Sequence, residues 1–184
     1  MMWQRVWGFV SCLIAAGPVW GEDVRVAEGD AEVLPPQSRL VELWNEGEFT
    51  EGVAVASDGT VYFSDIAFAA DGLGRVLKYD PTTGAVAVHC ADSGKSNGLM
   101  FDRDGRLIAC CGANKGRQAI CEVTADGKIR EIATSYRGKR FNSPNDLVVH
   151  PNGSVYFSDP RYVGKEPMLI EHQSVYRVDP DGTV

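Results

Sequence analysis

The chain has 184 residues, of which 44% are hydrophobic and 23% are charged, a composition typical of a globular protein with enough apolar material for a core. Its formal net charge of −7 and the lack of any run rich in lysine and arginine argue against nucleic acid or an anionic membrane surface as the main partner. An acidic chain is instead compatible with a bound cation.

The first 21 residues have the organisation of a secretory signal peptide. A single early basic residue, Arg5, precedes an apolar run from Val6 to Ala16, and small residues precede a cleavage point after Gly21. A membrane anchor is the alternative, although the run is shorter than the about 20 residues that span a bilayer. We therefore expect a secreted or periplasmic protein with no membrane contact after cleavage, in which residues 22–38 form a linker.

Four cysteines remain after the predicted cleavage, and the sequence leaves their pairing open. Neighbouring residues of a strand point to opposite faces, so the adjacent Cys110 and Cys111 are not expected to share one partner position. Small buried strand residues are the simpler interpretation of Cys90, Cys110, Cys111 and Cys121, with disulfides as the alternative in an oxidising compartment. A zinc site is disfavoured, since no CxxC spacing occurs.

Three segments of the chain align with one another without a gap: TEGVAVASDGTVYFSDI, SNGLMFDRDGRLIACCG and PNDLVVHPNGSVYFSDP. In each, an apolar strand leads through an Asp-Gly or Asn-Gly turn into a second strand, which is typical of a β-hairpin. Equivalent positions are 46 and then 48 residues apart. We therefore predict three inner hairpins, near residues 51–65, 97–111 and 145–159.

The second half of each unit adds a third strand, a turn and the start of a fourth. Four short strands in about 46 residues are the blade of a β-propeller. The sequence thus predicts an all-β chain of four-stranded antiparallel blades over residues 39–184, with about three blades present. RLVELW could supply the outer strand that closes the ring from the last blade. Closed rings typically have four to eight blades, so we expect the N-terminal half of a propeller, or a chain that associates with another copy.

A polar column runs through the aligned units at the start of each inner strand, formed by Glu51, Asn97 and Asn145. Strands arranged around one axis would bring these side chains together at one mouth of the central channel. A carboxylate and two amides are hard oxygen donors that suit Ca²⁺ or Mg²⁺ and offer nothing soft to zinc or copper. The alternative is that these residues only cap or turn the chain before each strand.

The elements SPNDLVVHPNGSVYFSDPRY, EGVAVASDGTVYFSD and GKSNGLMFDRDGRLIACC resemble the gluconolactonase/regucalcin (SMP-30-like) family of six-bladed propellers, over nearly all of residues 39–184. NSPND followed by YFSDPRY is the specific part of the resemblance. It implies a divalent metal at the channel mouth, most often Ca²⁺, with Mg²⁺ or Zn²⁺ as alternatives. The implied ligands are Glu51, Asn145 and a later-blade aspartate that has no counterpart before Val184; Val53 replaces the family's usual proline.

The same resemblance implies the substrate-binding residues. Asn97 is expected to contact the substrate or the metal's water, and Lys95, two positions earlier, to help bind the substrate. Arg161 is a further candidate, with the shaping of its loop as the alternative. The family's proton acceptor is usually the later-blade aspartate, so the catalytic base is expected to lie beyond Val184.

Other polar residues of the repeat have no predicted catalytic role. Asp146 follows Asn145 directly and is expected to point to the other face of the strand, where it would make a structural hydrogen bond. Asp65 and Asp159 occupy equivalent positions and are expected to be turn or packing residues. No serine lies in a GxSxG element, which argues against a serine nucleophile.

The resemblance implies metal-dependent hydrolysis of a sugar lactone, a small-molecule substrate, to its hydroxy acid. A metal can act as a Lewis acid on the lactone carbonyl while a carboxylate accepts a proton from water. Two alternatives remain: a non-catalytic propeller that binds a ligand or protein at its channel mouth, and an esterase for organophosphate-type substrates.

Overall fold

The computed structural model of the protein describes residues 29–67 and 72–184. The predicted signal peptide and residues 22–28 of the predicted linker lie outside the described residues. The chain divides into two compact units, Met1–Glu42 and Leu43–Val184, and all of the strands belong to the second. The part of the chain that the structure describes has no helix long and apolar enough to cross a membrane.

Two four-stranded antiparallel sheets come first in the chain. The first sheet has the order β1-β2-β3-β4, and the second has the order β5-β6-β7-β8. The strands of the first are β1 (Thr50–Val55), β2 (Val61–Asp65), β3 (Arg75–Tyr79) and β4 (Val86–Cys90). Those of the second are β5 (Ser96–Phe101), β6 (Leu107–Cys111), β7 (Ala119–Val123) and β8 (Ile129–Ala133).

The third sheet has three strands in the order β11-β12-β13. Its strands are β11 (Leu147–Val149), β12 (Val155–Asp159) and β13 (Ser174–Val178). A two-stranded ribbon that the sequence analysis did not predict, β9 (Ser135–Tyr136) and β10 (Lys139–Arg140), lies between the second and third sheets in the chain. Arg137 and Gly138 form its turn with φ of 49° and 75°, as expected of a tight hairpin.

The three predicted inner hairpins correspond to β1–β2, β5–β6 and β11–β12. Their turns place Gly59, Gly105 and Gly153 at φ of 88°, 79° and 91°, a region in which glycine has no steric cost. The residue before each turn glycine has a polar side chain; in the third hairpin Asn152 Oδ1 accepts a 2.9 Å hydrogen bond from the Ser154 N–H. The Asp-Gly and Asn-Gly signals therefore mark real turns.

Two layers of apolar side chains join the three sheets. β6 contributes to both, because Leu107, Ala109 and Cys111 belong to the layer shared with the first sheet, whereas Ile108 and Cys110 belong to the layer shared with the third. This alternation is the period of two expected of a strand that is buried on both faces. The sheets therefore stack face to face as successive blades do.

The four described cysteines are buried and free. Cys90, Cys111 and Cys121 lie in the layer between the first two sheets, and Cys110 lies in the other layer. The prediction that Cys110 and Cys111 face opposite sides of one strand is confirmed. The cysteines act here as small core residues.

RLVELW forms no strand within the described sheets, the first of which begins at Thr50, and the last blade that it is predicted to close is not among them. The segment supplies Trp44, whose ring lies 5.6 Å from that of Phe63 and 5.7 Å from the Arg75 guanidinium carbon. Apolar residues also remain exposed on the outer faces of the first and third sheets, including Val53 at 65% and Val175 at 71%.

Candidate metal and substrate site

The residues of the polar column lie where the regular strand pairing is interrupted. The register of β1 with β2 shifts between Glu51 and Ala54, and that of β5 with β6 shifts between Ser96 and Leu99. In the third blade, Asn145 precedes β11 by two residues. Such irregularities re-aim a side chain relative to the flat face of a sheet.

Glycines after the first two column residues allow the inner strands to approach each other closely. A Cβ on Gly52 would lie 1.8 Å from the Asn97 carbonyl oxygen, and Gly52 also has a φ of 61° that suits glycine. The Ser64 hydroxyl donates a 2.8 Å hydrogen bond to the same Asn97 oxygen. The backbone of Asn97 is therefore fixed by the neighbouring blade.

Two equivalent aspartates, Asp65 and Asp159, hold the loops that precede Glu51 and Asn145, the first and third residues of the column. Asp65 Oδ1 accepts hydrogen bonds from the N–H groups of Glu48 and Phe49, just before Glu51, at 2.9 and 3.1 Å. Its other oxygen accepts from Arg75 at 2.9 Å. The carboxylate of Asp65 is thus a support for the loop that carries Glu51.

Asp159 has the same role in the third blade. It accepts hydrogen bonds from the N–H groups of Asn142 and Ser143, just before Asn145, at 2.8 and 2.7 Å. Burial raises the pKa of Asp159, against the lowering effect of these two donors and of the Arg161 charge. The packing role expected for these aspartates is therefore confirmed, and it bears directly on the loops of the site.

One cavity of about 420 Å³ collects residues from all three blades. Its walls include four of the predicted site residues: Glu51, Lys95, Asn97 and Asn145. The other lining residues come mainly from loops at the same end of the sheets: Phe49, Ile66, Ala67, Gly112, Ala113, Asn114, Ser143, Pro144, Tyr162 and Val163. The sequence predicted the polar column but none of the apolar wall.

Lys95 is 4% exposed, and its Nζ donates a 2.7 Å hydrogen bond to the Ala67 carbonyl oxygen. It has a φ of 60°, which is uncommon for a residue with a side chain. Its N–H and C=O are tied to Leu73 and Gly112 at 3.1 and 2.9 Å. A backbone held in this conformation by its neighbours is typical of residues at functional sites.

Arg161 is the one predicted site residue that does not line this cavity. Its guanidinium donates 2.9 Å hydrogen bonds to the carbonyl oxygens of Asn142 and Glu166. The direct substrate contact predicted for Arg161 is not supported by this position, because its donors are directed to backbone oxygens. Asp146 is exposed, does not line the cavity and accepts a 2.8 Å hydrogen bond from the Leu147 N–H, a local structural contact.

The donor set of the cavity fits a hard cation. Within residues 29–67 and 72–184, no three histidine, cysteine, aspartate or glutamate side chains form a group that could hold a metal. A cation here would therefore depend on the Glu51 carboxylate together with the amide oxygens of Asn97 and Asn145. All of these are oxygen donors, which Ca²⁺ and Mg²⁺ prefer, and the described lining has no histidine or cysteine to favour zinc.

Comparison with known proteins supports the fold and the family. The sequence model of the SMP-30/Gluconolactonase/LRE-like region matches residues 49–184. A gluconolactonase of Zymomonas mobilis is 37% identical over 93 residues, which are 47% of this chain and 25% of that protein. The structure of a gluconolactonase from Xanthomonas campestris matches with a TM-score of 0.74 and 32% identity, over 87% of this chain and 54% of that one.

A luciferin-regenerating enzyme matches at a TM-score of 0.53 and 16% identity, over 72% of this chain and 45% of that one, which bears on the fold alone. These similarities confirm the predicted all-β, partial propeller architecture. The chain spans about half the length of the solved structures that it matches.

Proposed function

Because the chain belongs to the SMP-30/gluconolactonase/LRE-like family, we propose that its cavity binds a divalent cation and a sugar lactone and supports hydrolysis of the lactone to the hydroxy acid. The observation that carries the proposal is the convergence of Glu51, Asn97 and Asn145, one from each blade, on a single cavity. Capping or turning the chain does not require the three side chains to share one cavity, so their convergence favours a binding role.

Glu51 and Asn145 would hold the cation, which we take to be Ca²⁺ because every donor is an oxygen. When bound, a divalent cation supplies Lewis acidity toward a carbonyl oxygen and lowers the pKa of water. Glu51 is the one carboxylate among the described residues that line the cavity. We assign it to cation binding, since its charge offsets that of the metal.

The remaining polar residues of the cavity bind and orient the substrate. The Asn97 amide can donate to one substrate oxygen and accept from a hydroxyl. The Lys95 ammonium adds a positive charge at the wall, which attracts the carboxylate of the product and hydrogen-bonds lactone oxygens. Asn97 is half-buried and Lys95 is almost fully buried. Because burial excludes water, it strengthens the hydrogen bonds of both side chains to the substrate.

The proposal is tested by measuring Ca²⁺ binding by calorimetry and lactone opening by pH-stat titration with D-glucono-1,5-lactone, in a complete propeller that contains this chain and the later-blade aspartate expected as the base. Glu51→Gln and Asn145→Ala should each weaken Ca²⁺ binding by at least about 10-fold and abolish turnover. Glu171→Gln, an exposed carboxylate outside the cavity, is the matched control and should change neither. Retained activity in the folded Glu51 or Asn145 variant would refute the site.

The same assays separate the alternatives. A chain that binds Ca²⁺ and gluconate but turns over neither lactones nor phosphotriesters would be a binding propeller. Turnover of phosphotriesters alone would make it an esterase of the organophosphate type. Lactone opening that requires Ca²⁺ supports the proposal against both.

We also propose that the protein is exported, on the basis of the basic residue, apolar run and small residues at its N-terminus. Expression in a bacterial host followed by N-terminal sequencing of the periplasmic fraction should give a protein that begins at Glu22. Recovery of the uncleaved chain from the cytoplasm would contradict export.

A further inference from the structure

Part of the cavity wall comes from the connection between β12 and β13. Tyr162 and Val163 of this connection line the cavity and are 76% and 51% exposed, respectively. Neither residue belongs to a strand, because β12 ends at Asp159 and β13 begins at Ser174. Exposed loop residues form a defined wall only if other contacts fix their loop.

Glu166 ties this connection to the loop between β6 and β7. Its carboxylate accepts a hydrogen bond from the backbone N–H of Lys115, and the backbone N–H of Asn114 also acts to lower its pKa. Both of these residues have positive φ, 62° for Asn114 and 64° for Lys115, and successive N–H groups in turn conformations of this kind can converge on one anion. Asn114 also lines the cavity, so the contact joins two walls.

The approach of the two loops is close. A Cβ on Gly164 would lie 2.5 Å from Glu166 Oε2 and 2.8 Å from the Asn114 nitrogen, and Gly164 has a φ of 97°. Burial by itself raises the pKa of Glu166, but the backbone N–H groups of Lys115, Glu166 itself and Asn114, together with the Arg161 charge, outweigh burial, so the net pKa is lowered. Glu166 is therefore an ionised acceptor at neutral pH.

Arg161 fastens the other end of the same connection. Its side chain is 10% exposed, and its guanidinium donates to the carbonyl oxygen of Glu166 and to that of Asn142. Asn142 lies three residues before Asn145, in the segment that Asp159 supports. Arg161 thus attaches the connection to the segment before Asn145. Glu166 attaches it to the loop between β6 and β7.

We propose that Arg161 and Glu166 are positioning residues that hold Tyr162 against the cavity, and that Tyr162 is a specificity-determining residue for the lactone. This inference rests on the proposed function. A sugar lactone carries hydroxyl groups around its edge and C–H groups on its faces. Tyr162 has an aromatic ring with apolar faces and a polar tip, and it lines the same cavity as the polar side chains of Lys95 and Asn97. The wall therefore accepts a compact ring and excludes one with a bulky substituent.

The attachment of the loops is tested by amide hydrogen exchange on the full chain, which needs no activity. Glu166→Gln removes the charge but keeps the length of the side chain. It should accelerate exchange of the Asn114 and Lys115 amides at least about 10-fold and leave the β6 amides unchanged. Glu171→Gln in the same connection is the control. Unchanged exchange at both amides in the folded Glu166 variant would overturn the positioning role.

The specificity role is tested by steady-state kinetics. Tyr162→Ala should raise KM for D-glucono-1,5-lactone about 10-fold and leave kcat within a factor of about two. It should also change the ranking of lactones by kcat/KM, so that bulkier lactones are turned over better relative to D-glucono-1,5-lactone. Tyr162→Phe should retain the native ranking, since it keeps the ring. Glu166→Gln should shift the ranking in the same direction as Tyr162→Ala, and Glu166→Asp should restore part of it.

The outcomes separate this inference from the proposed function. If the complete propeller opens no lactone, the proposed function fails, and gluconate affinity measured by calorimetry takes the place of KM. A Tyr162→Ala variant with native KM, native ranking and native gluconate affinity would overturn the specificity role even if the chain is a lactonase.

Discussion

The backbone N–H of Gly98 donates a 2.8 Å hydrogen bond to the carbonyl oxygen of Asn145. This bond joins the inner strand of the second blade to the segment that carries the third member of the polar column. It sets the separation of two neighbouring column residues through their backbones. A cation site that draws one ligand from each blade depends on such contacts, because no single strand could hold the ligands together.

We expect Gly98→Ala to disturb this contact. A Cβ at position 98 would lie 2.5 Å from Asp146 Oδ1 and 2.7 Å from Asp146 Cα, so the third blade would have to shift. The free energy of unfolding should fall by about 1–3 kcal/mol, and Ca²⁺ affinity should fall with it. Gly84→Ala is the control, since it lies in open space with a φ of 72°. It should lower stability but leave Ca²⁺ binding intact; equal loss of binding in both variants would contradict the argument.

The repeat explains why much of this site could be predicted from the sequence. Self-alignment placed Glu51, Asn97 and Asn145 in one column, and a column in a radially repeated structure becomes a cluster in space. Side-chain alternation similarly predicted the opposite faces of Cys110 and Cys111. These conclusions depended only on period and register, which local sequence specifies well.

The remaining features depend on contacts between loops, which period and register do not describe. Arg161 was a candidate for substrate contact, with the shaping of its loop as the alternative, and its guanidinium donates to two backbone oxygens that no local pattern reveals. Tyr162 and Val163 line the cavity from an irregular connection. RLVELW has the composition of a strand, and the contact of Trp44 with Phe63 is a packing feature that composition does not reveal.

Lys95→Met should separate substrate binding from structural support. Methionine keeps most of the volume but loses the ammonium, so KM for the lactone should rise about 10- to 100-fold, the value of a hydrogen bond to a charged group. The value of kcat should change little. Lys165→Met, at an exposed lysine, is the control. A native KM accompanied by a lower melting temperature would show that the hydrogen bond to Ala67 is the whole role of Lys95.

The buried cysteines should be unreactive in the folded protein. Burial raises the pKa of the Cys110 thiol well above its ordinary value, and contact with the Cys121 thiol together with burial does the same for Cys111. The thiolate is the reactive form, so an aromatic disulfide reagent should label none of the four described cysteines in native protein and all four after denaturation. Fewer thiols after denaturation without reductant would reveal a disulfide.

Asp159 should make a contribution to stability that declines as pH rises. Burial raises the pKa of its carboxyl in the folded chain, so between the ordinary value of about 4 and the folded value the folded state binds more protons than the unfolded state. Stability is therefore greatest below this window and is lost as pH rises through it.

Asp159→Asn tests this sign, because a carboxamide resembles the protonated carboxyl and does not titrate. The free energy of unfolding of the native protein minus that of Asp159→Asn, measured by urea denaturation, should decrease from about pH 4 upward and then level off. Asp146→Asn, at an exposed carboxylate, controls for the loss of one charge. An increase of the difference with pH would mean that the N–H donors of Asn142 and Ser143 outweigh burial and favour the ionised carboxylate.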